Sequence, residues 1–357
     1  MLTLIVDSNW LLMSRASILF KKFSKDEPQH ARQQAKNELQ DLLARSINVV
    51  LNRFPVIDNI VLVEDGGSWR KNLTPPKTLT DVAYKGNRVM DNEIDWNSIY
   101  EALNNLIDKA SNLGITVTQY SDIEGDDWIW YWTNRLNSEG ENCLIWSSDN
   151  DLKQLININK DTNAYTAWYN DKQGLFLHDS INDNYDPIDF FMRCDYVSPS
   201  LEALKTKAGA VNFINPETIV IDKIICGDAS DNIKPIIQYK KNNRNQRITE
   251  NDWGKISNNM NINSLNDLLG NKSYIIETIK RYKKWDDQDI NIDHLSDMID
   301  YNTKLVCLNE DNIPRTLIQV MNQSEYKKFD IGYLRSNYKV LLNDNDDILE
   351  LFDSILG

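Results

Sequence analysis

Thr3-Leu4-Ile5-Val6-Asp7 and Ile60-Val61-Leu62-Val63-Glu64-Asp65 are short apolar runs, each closed by acid. An unbroken apolar run of this length, without alternation, reads as a strand buried on both faces, the mark of a parallel sheet covered by helices. Working outward, the stretch from about Ala31 to Phe54 carries helical periodicity, and a further helix is expected from about Asp95 to Asn112. Gly114 stops that helix and leads into a strand from Ile115 to Tyr120. Another helix opens near Glu124, and Cys143 to Trp146 supplies the next strand ahead of Ser147 and Ser148. Tyr165 to Tyr169 and Leu175 to Leu177, separated by Asn170-Asp171-Lys172-Gln173-Gly174, predict a hairpin on the sheet edge. Strands alternating with helices predict an α/β fold with a central, mostly parallel sheet and flanking helices.

After about residue 186 the pattern turns mainly helical, with polar loops rich in Asn, Asp and Lys. The expected organisation is an α/β domain over 1–205, a helical domain over 206–320 and a tail over 321–357. The chain has 357 residues, 41% of them hydrophobic, enough to bury a substantial core. No apolar run approaches the roughly 18 residues a membrane span needs, so a soluble, intracellular (cytoplasmic) protein with no membrane partner is expected. The cysteines, Cys143, Cys194, Cys226 and Cys307, form no Cys-x-x-Cys pair, which argues against a zinc knuckle and for buried thiols.

A formal charge of −14 argues at first against a nucleic-acid partner. Distribution counts for more than the sum, because carboxylates gathered to hold cations inflate the negative count while the bound ions reverse the local field. The acids fall where an open α/β sheet binds its ligands, beyond the carboxyl ends of the strands. Asp7 and Asp65 end apolar runs. Glu124, Asp126 and Asp127 open a helix in which Glu124 and Asp127 share a face. Asp149 and Asp151 follow the next strand in Ser-Ser-Asp-Asn-Asp, and Asp228 and Asp231 stand in Gly-Asp-Ala-Ser-Asp-Asn. Any one of them alone reads as a turn former or helix N-cap. Their repetition at one sheet edge implies neutralising cations, and oxygen donors without His or Cys point to magnesium or manganese.

These blocks, in this order and spacing, resemble the signature of the 5′-nuclease family of flap endonucleases and 5′→3′ exonucleases, over residues 1 to about 320. Within it they are most similar to the T-even phage type with RNase H activity. Trp69-Arg70, Ala83-Tyr84-Lys85 with Asn87 and Arg88 beyond, and Leu305 to Pro314 share the resemblance. It implies a PIN-like nuclease domain followed by a helical domain with a helix-turn-helix-type DNA-binding element. It also implies two Mg2+ (or Mn2+) ions. Asp7, Asp65, Glu124, Asp126, Asp127 and Asp149 would surround the first, while Asp151, Asp228 and Asp231 would hold the second, mostly through water. Asp7, Asp65 and Asp149 would be central to cleavage, with Lys85 and Arg70 stabilising charge on the scissile phosphate.

The segment 66–92 is then an arch over the site, in which Arg70, Lys71, Lys77, Lys85 and Arg88 meet phosphates and the aromatics Trp69 and Tyr84 stack on bases. The bland reading is a solvated loop. Lys234, Lys240, Lys241, Arg244 and Arg247 follow Asp231 and are expected to grip duplex DNA, although the glycines of the relatives' helix-turn-helix are missing. Trp128 and Trp132 are expected in the core. The expected substrates are branched, flapped or RNA-primed duplexes, including the primers of lagging-strand phage replication. The alternatives are a PIN-type ribonuclease and a catalytically silent DNA-binding or scaffold relative. In the tail, Ile348, Leu349, Leu351, Phe352, Ile355 and Leu356 form an amphipathic stripe. That stripe either packs on the helical domain or docks a replication partner, a sliding clamp or single-strand DNA-binding protein.

Overall fold

The computed structural model describes residues 1–76, 83–88, 90–180, 187–195, 197–241, 244–285 and 292–342. The amphipathic stripe of the tail, and Lys77 in the arch, lie outside the described residues.

The apolar runs form the strands β1 (Leu2–Asp7), β2 (Asn59–Val63), β3 (Thr116–Thr118) and β4 (Asn142–Trp146). They are followed by the short β5 (Asn157–Ile158), then β6 (Tyr165–Asn170), β7 (Gly174–His178) and β8 (Val211–Ile214). The sheet runs in the order β3-β2-β1-β4-β6-β7-β8, with β5 paired to β6. Neighbours from β3 to β6 are parallel, β7 is antiparallel to β6, and β8 is parallel to β7. The hairpin is therefore present but is not the edge. The edge strand is β8, half-exposed and only four residues long, within a stretch whose neighbours are helical, so no sequence periodicity marks it.

One face of the sheet carries α1 (Ser8–Leu19), α2 (Gln29–Arg53) and α3 (Trp96–Asn112), which bury Leu4, Val6, Leu39, Leu43 and Leu103 together. Helix α1 has no counterpart among the sequence expectations. Its apolar residues include the exposed Met13 and Ile18, so they outline no single stripe. The other face carries α4 (Gly125–Ser138), whose Trp128 and Trp132 pack in the core against Val61, Ile145 and Trp168.

The helices that follow are α5 (Pro187–Met192), α6 (Leu201–Ala208), α7 (Pro216–Cys226), α8 (Glu250–Met260), α9 (Leu265–Gly270), α10 (Lys272–Lys283), α11 (Ile292–Val306), α12 (Arg315–Met321) and α13 (Ile331–Asn337). A separate core of Ile221, Ile224, Trp253, Ile276 and Ile299 joins α7, α8, α10 and α11. Between α7 and α8, where a helix-turn-helix element is expected, the chain forms an antiparallel pair, β9 (Gln238–Lys241) and β10 (Arg244–Arg247). The sheet continues past residue 205 to β8, and the chain returns to it after 320. Ile331, Leu334, Leu341 and Leu342 enter the first core. Arg335 donates to the carbonyls of Leu51, Phe54 and Ile57, serving the carboxyl end of α2 where a cation is favoured. Of the thiols, Cys143 and Cys307 are buried as expected, but Cys194 is exposed.

Candidate active site

The strand order reverses between β1 and β4, and a crevice at the carboxyl ends of strands flanking such a switch point is where open α/β sheets bind ligands. Asp7 ends β1 and caps α1, its Oδ1 accepting from Trp10 N at 2.9 Å. Its Oδ2 accepts from Ser147 Oγ at 2.6 Å, and the same hydroxyl accepts from Asp149 N at 2.9 Å. Asp65, two residues past β2, takes a hydrogen bond from Gly125 N at 2.5 Å, and its own amide donates to Asn9 Oδ1 at 3.2 Å. A Cβ on Gly125 would lie 2.8 Å from Asp65 Oδ1, and one on Gly66 would overlap the Tyr120 carbonyl, so both close approaches require glycine.

Burial pushes Asp7 up to about 7, with Asp65 and Asp149 adding repulsion against the lowering effect of its hydrogen bonds. Burial likewise raises Asp65, against the Gly125 hydrogen bond and Lys85. Asp126 is raised well above the usual carboxylate range by desolvation first, then by Asp149. Asp149 is raised by burial, against Lys223 and Lys85, and further by Asp231 and Asp228. Asp7, Asp126 and Asp149 are half-buried and Asp65 is exposed to the crevice, and a set of mutually repelling carboxylates open to solvent fits hard divalent cations.

The remaining acids have partners within the chain. Helical spacing puts Glu124 and Asp127 on one face of α4, and both face Arg70. Arg70 NH2 meets Asp127 Oδ1 at 2.7 Å, and Arg70 NH1 meets Glu124 Oε2 at 2.6 Å and Asp127 Oδ2 at 3.0 Å. Trp69 Nε1 donates to Asp127 Oδ2 at 2.8 Å. Lys85 Nζ reaches Glu124 Oε1 at 2.5 Å. Burial opposes it, yet Lys85 and Arg70 hold Glu124 below the usual range. Arg70 is 2% exposed, so the expectation that it meets phosphates gives way to a buried ion pair beneath the site.

The base of the arch docks on the Gly227–Asn232 loop. Lys85 N donates to Asp231 O at 2.9 Å, Asn232 Nδ2 to Ala83 O at 3.0 Å, and Asn87 Nδ2 to Ala229 O at 3.1 Å. Lys85 holds a left-handed φ of 55°, a strained state for a residue with a Cβ. Tyr84 packs in the second core, 7% exposed, and its hydroxyl donates to Asp231 Oδ2 at 3.2 Å, so stacking on a base is closed to it. Arg88 NH2 meets Asp231 Oδ1 at 2.6 Å. Asp151 and Asp228 share Lys223 Nζ, 2.5 Å from Asp228 Oδ2.

Among the described residues no group of three or more His, Cys, Asp or Glu converges as a ready metal cage. Arg70 pairs with Glu124 and Asp127, Lys85 with Glu124, and Lys223 with Asp151 and Asp228. Of the expected nucleic-acid contacts, Lys71 in the arch and Arg247 are exposed, and Lys234 Nζ donates to Asn232 Oδ1 at 2.9 Å. Lys240, Lys241 and Arg244 are placed at register positions of β9 and β10. Sequence reasoning passed over Asn9, Ser147 and Lys223. Ser147 stood inside a quoted block, whereas nothing in the sequence distinguishes Lys223 from an ordinary cation at a helix carboxyl end.

The class defined by this fold and site is an α/β protein with a mostly parallel sheet, acids across its switch point and a basic connection docked beside them. No family profile matches it. It is 24% identical over 233 residues to a 5′-3′ exonuclease of Mycoplasmopsis pulmonis, a match covering 65% of this chain and 61% of that relative, so less than two thirds of the relative's length is spanned. Its fold is similar to that of bacteriophage T5 flap endonuclease solved with DNA and metal ions, at a TM-score of 0.51 and 12% identity over 96% of this chain and 99% of the other. It is also similar to T5 5′-exonuclease with bound zinc, at a TM-score of 0.51 and 13% identity over 91% of this chain and 100% of the other. The likeness is thus one of sequence to a 5′-3′ exonuclease over part of its length, and one of fold to the T5 flap endonuclease. Among the described residues no helix is long and apolar enough to cross a membrane.

Proposed function

We propose that this chain hydrolyses phosphodiester bonds near the 5′ ends of branched, flapped or RNA-primed DNA, as a 5′→3′ exonuclease and flap endonuclease. The observation that carries this reading is that Asp7, Asp65 and Asp149, beyond β1, β2 and β4, and Asp126, in the first turn of α4, all have raised carboxyls with neighbouring acids among the causes. Those acids would hold Mg2+ or Mn2+, with Asp151, Asp228 and Asp231 as a second set. The chemistry supplied by paired ions there is activation of a water and neutralisation of charge on the attacking and leaving oxygens of an in-line displacement.

The chain's own residues do the rest. Ser147 fixes the spacing of Asp7 and Asp149. The Arg70 pair with Asp127 and Glu124 anchors the arch base, and Lys85, held over the acids by Glu124, supplies positive charge toward a bound phosphate. Lys71, Arg88, Lys234, Lys240, Lys241, Arg244 and Arg247 would follow the nucleic-acid backbone. Primer removal in phage replication and docking of a clamp or single-strand DNA-binding protein through the tail extend this reading.

The test is cleavage of end-labelled nicked, flapped and RNA-primed duplexes, with and without magnesium. Magnesium-dependent products released from the 5′ side are expected. Cleavage confined to single-stranded RNA, or none on any branched duplex, overturns the reading.

A further inference from the structure

The second acid set already contains a cation. Lys223 lies in the last turn of α7, where a lysine needs no further reason than the helix dipole. Its ammonium does not stay at the helix end, however. It reaches Asp151, in the 3-10 turn after β4, and Asp228, in the loop after α7. All three side chains are largely covered, at 20%, 19% and 12% exposure. Asp228 is further satisfied by Ser230, whose amide and hydroxyl donate to Oδ1 at 2.8 and 2.6 Å. Among the described residues Asp7, Asp65, Asp126 and Asp149 form no ion pair at contact distance, although Lys85 and Lys223 lie close enough to ease the charge on Asp149. The site is therefore divided into a half without a contacting cation and a half whose carboxylates hold one directly.

We propose that Lys223 is a resident counterion holding the place of a cation between Asp151 and Asp228, and that a divalent ion binds this pair only by displacing it. The inference rests on the reading that these acids bind divalent ions. A carboxylate pair sharing one ammonium gains less from an incoming cation than a bare pair, because the existing attraction must first be given up. Ion binding is then sequential, tight at the open half and weaker at the occupied half. The displaced ammonium, still tethered to α7, becomes a free cation beside the acids, where it can pair with a substrate phosphate. Lys223 is on this account a positioning residue for the second ion.

The test is calorimetric titration of metal-free protein with Mn2+, in the absence of DNA, for wild type, Lys223→Met and Lys223→Arg, with Lys234→Met as a control that changes charge nearby without touching a carboxylate. Wild type is expected to show a tight and a weak step. Lys223→Met should strengthen the weak step by about tenfold or more, since it removes a competing charge at contact distance. Lys223→Arg should keep the wild-type profile, and Lys234→Met should change it little. Should the methionine variant not fold, Lys223→Gln makes the same comparison. An unchanged or weaker second step on removing the charge overturns the proposal while leaving the metal reading intact. Absence of any Mn2+ binding by wild type overturns the metal reading itself, and this inference with it.

Discussion

Ser147 joins Asp7 to the loop after β4: its hydroxyl donates to Asp7 Oδ2 at 2.6 Å and accepts from the Asp149 amide at 2.9 Å, so one buried oxygen sets the spacing of an acid that ends β1 and an acid just beyond β4. Ser147→Ala should cost about 1–3 kcal/mol of stability, the range for leaving a buried polar partner unsatisfied. It should also lower cleavage by roughly 10–100-fold, as loss of an outer-shell partner does. Thermal melting and single-turnover cleavage read the two effects. Full activity in a destabilised variant would reduce Ser147 to a packing residue.

Asp149 should show opposite signs for activity and stability. Its carboxyl is raised by burial and by Asp231 and Asp228, so in the absence of metal the ionised form is a strained one. Asp149→Asn should melt higher than wild type in chelator and lose the further rise that magnesium gives wild type by mass action. Cleavage should disappear while flapped DNA still binds. Near wild-type turnover across magnesium concentrations sinks the assignment.

Arg70 and Lys85, grouped together by the sequence, should separate on mutation. Arg70 is fully buried against Asp127 and Glu124, and removing one partner of such a pair costs about 3–5 kcal/mol, so Arg70→Ala should unfold or melt far lower. Lys85 is 14% exposed at its side chain and stands at the crevice. Lys85→Ala should lower the melting temperature less than Arg70→Ala, because Glu124 keeps Arg70 as a partner, and should lower the single-turnover rate by about 100-fold at saturating substrate, the scale of losing one charge-stabilising donor. A loss of affinity with an unchanged saturating rate would reassign Lys85 to backbone binding.

Asp222 gives a pH-dependent stability. Burial first, then repulsion from Glu250, pushes its carboxyl up to about 6 against a hydrogen bond from Trp253. An acid raised in the folded state binds its proton more tightly there than in the unfolded chain. The penalty is therefore absent below the unfolded pKa of about 3.9, grows as pH rises through 4 to 6, and is complete above 6. Asp222→Asn should stabilise by about 1 kcal/mol at pH 7.5, a figure reduced for partial solvent screening, and by nothing near pH 4. Melting curves of both proteins at the two pH values check this. A stabilisation of equal size at both would remove ionisation as its cause.

The strands that carry the site were legible because each is a closed apolar run, buried on both faces, with acid immediately beyond it. Asp7, Asp65 and Asp149 follow from that pattern wherever the rest of the chain goes. Strand β8 was not legible, since four half-exposed residues in a helical neighbourhood carry no period of their own. Helix α1 was missed for the related reason that apolar residues on more than one face leave no stripe.

The sequence by itself determined the α/β layering, the sheet edge at which the acids gather and the oxygen-only character of their donors. Only the tertiary structure decided which acids remain unneutralised. Arg70 meets Glu124 and Asp127, Lys85 meets Glu124, and Lys223 meets Asp151, all across long separations in the chain. Whether a lysine or arginine pairs with a buried carboxylate depends on distance and desolvation in the folded molecule, and neither quantity is written in the order of residues.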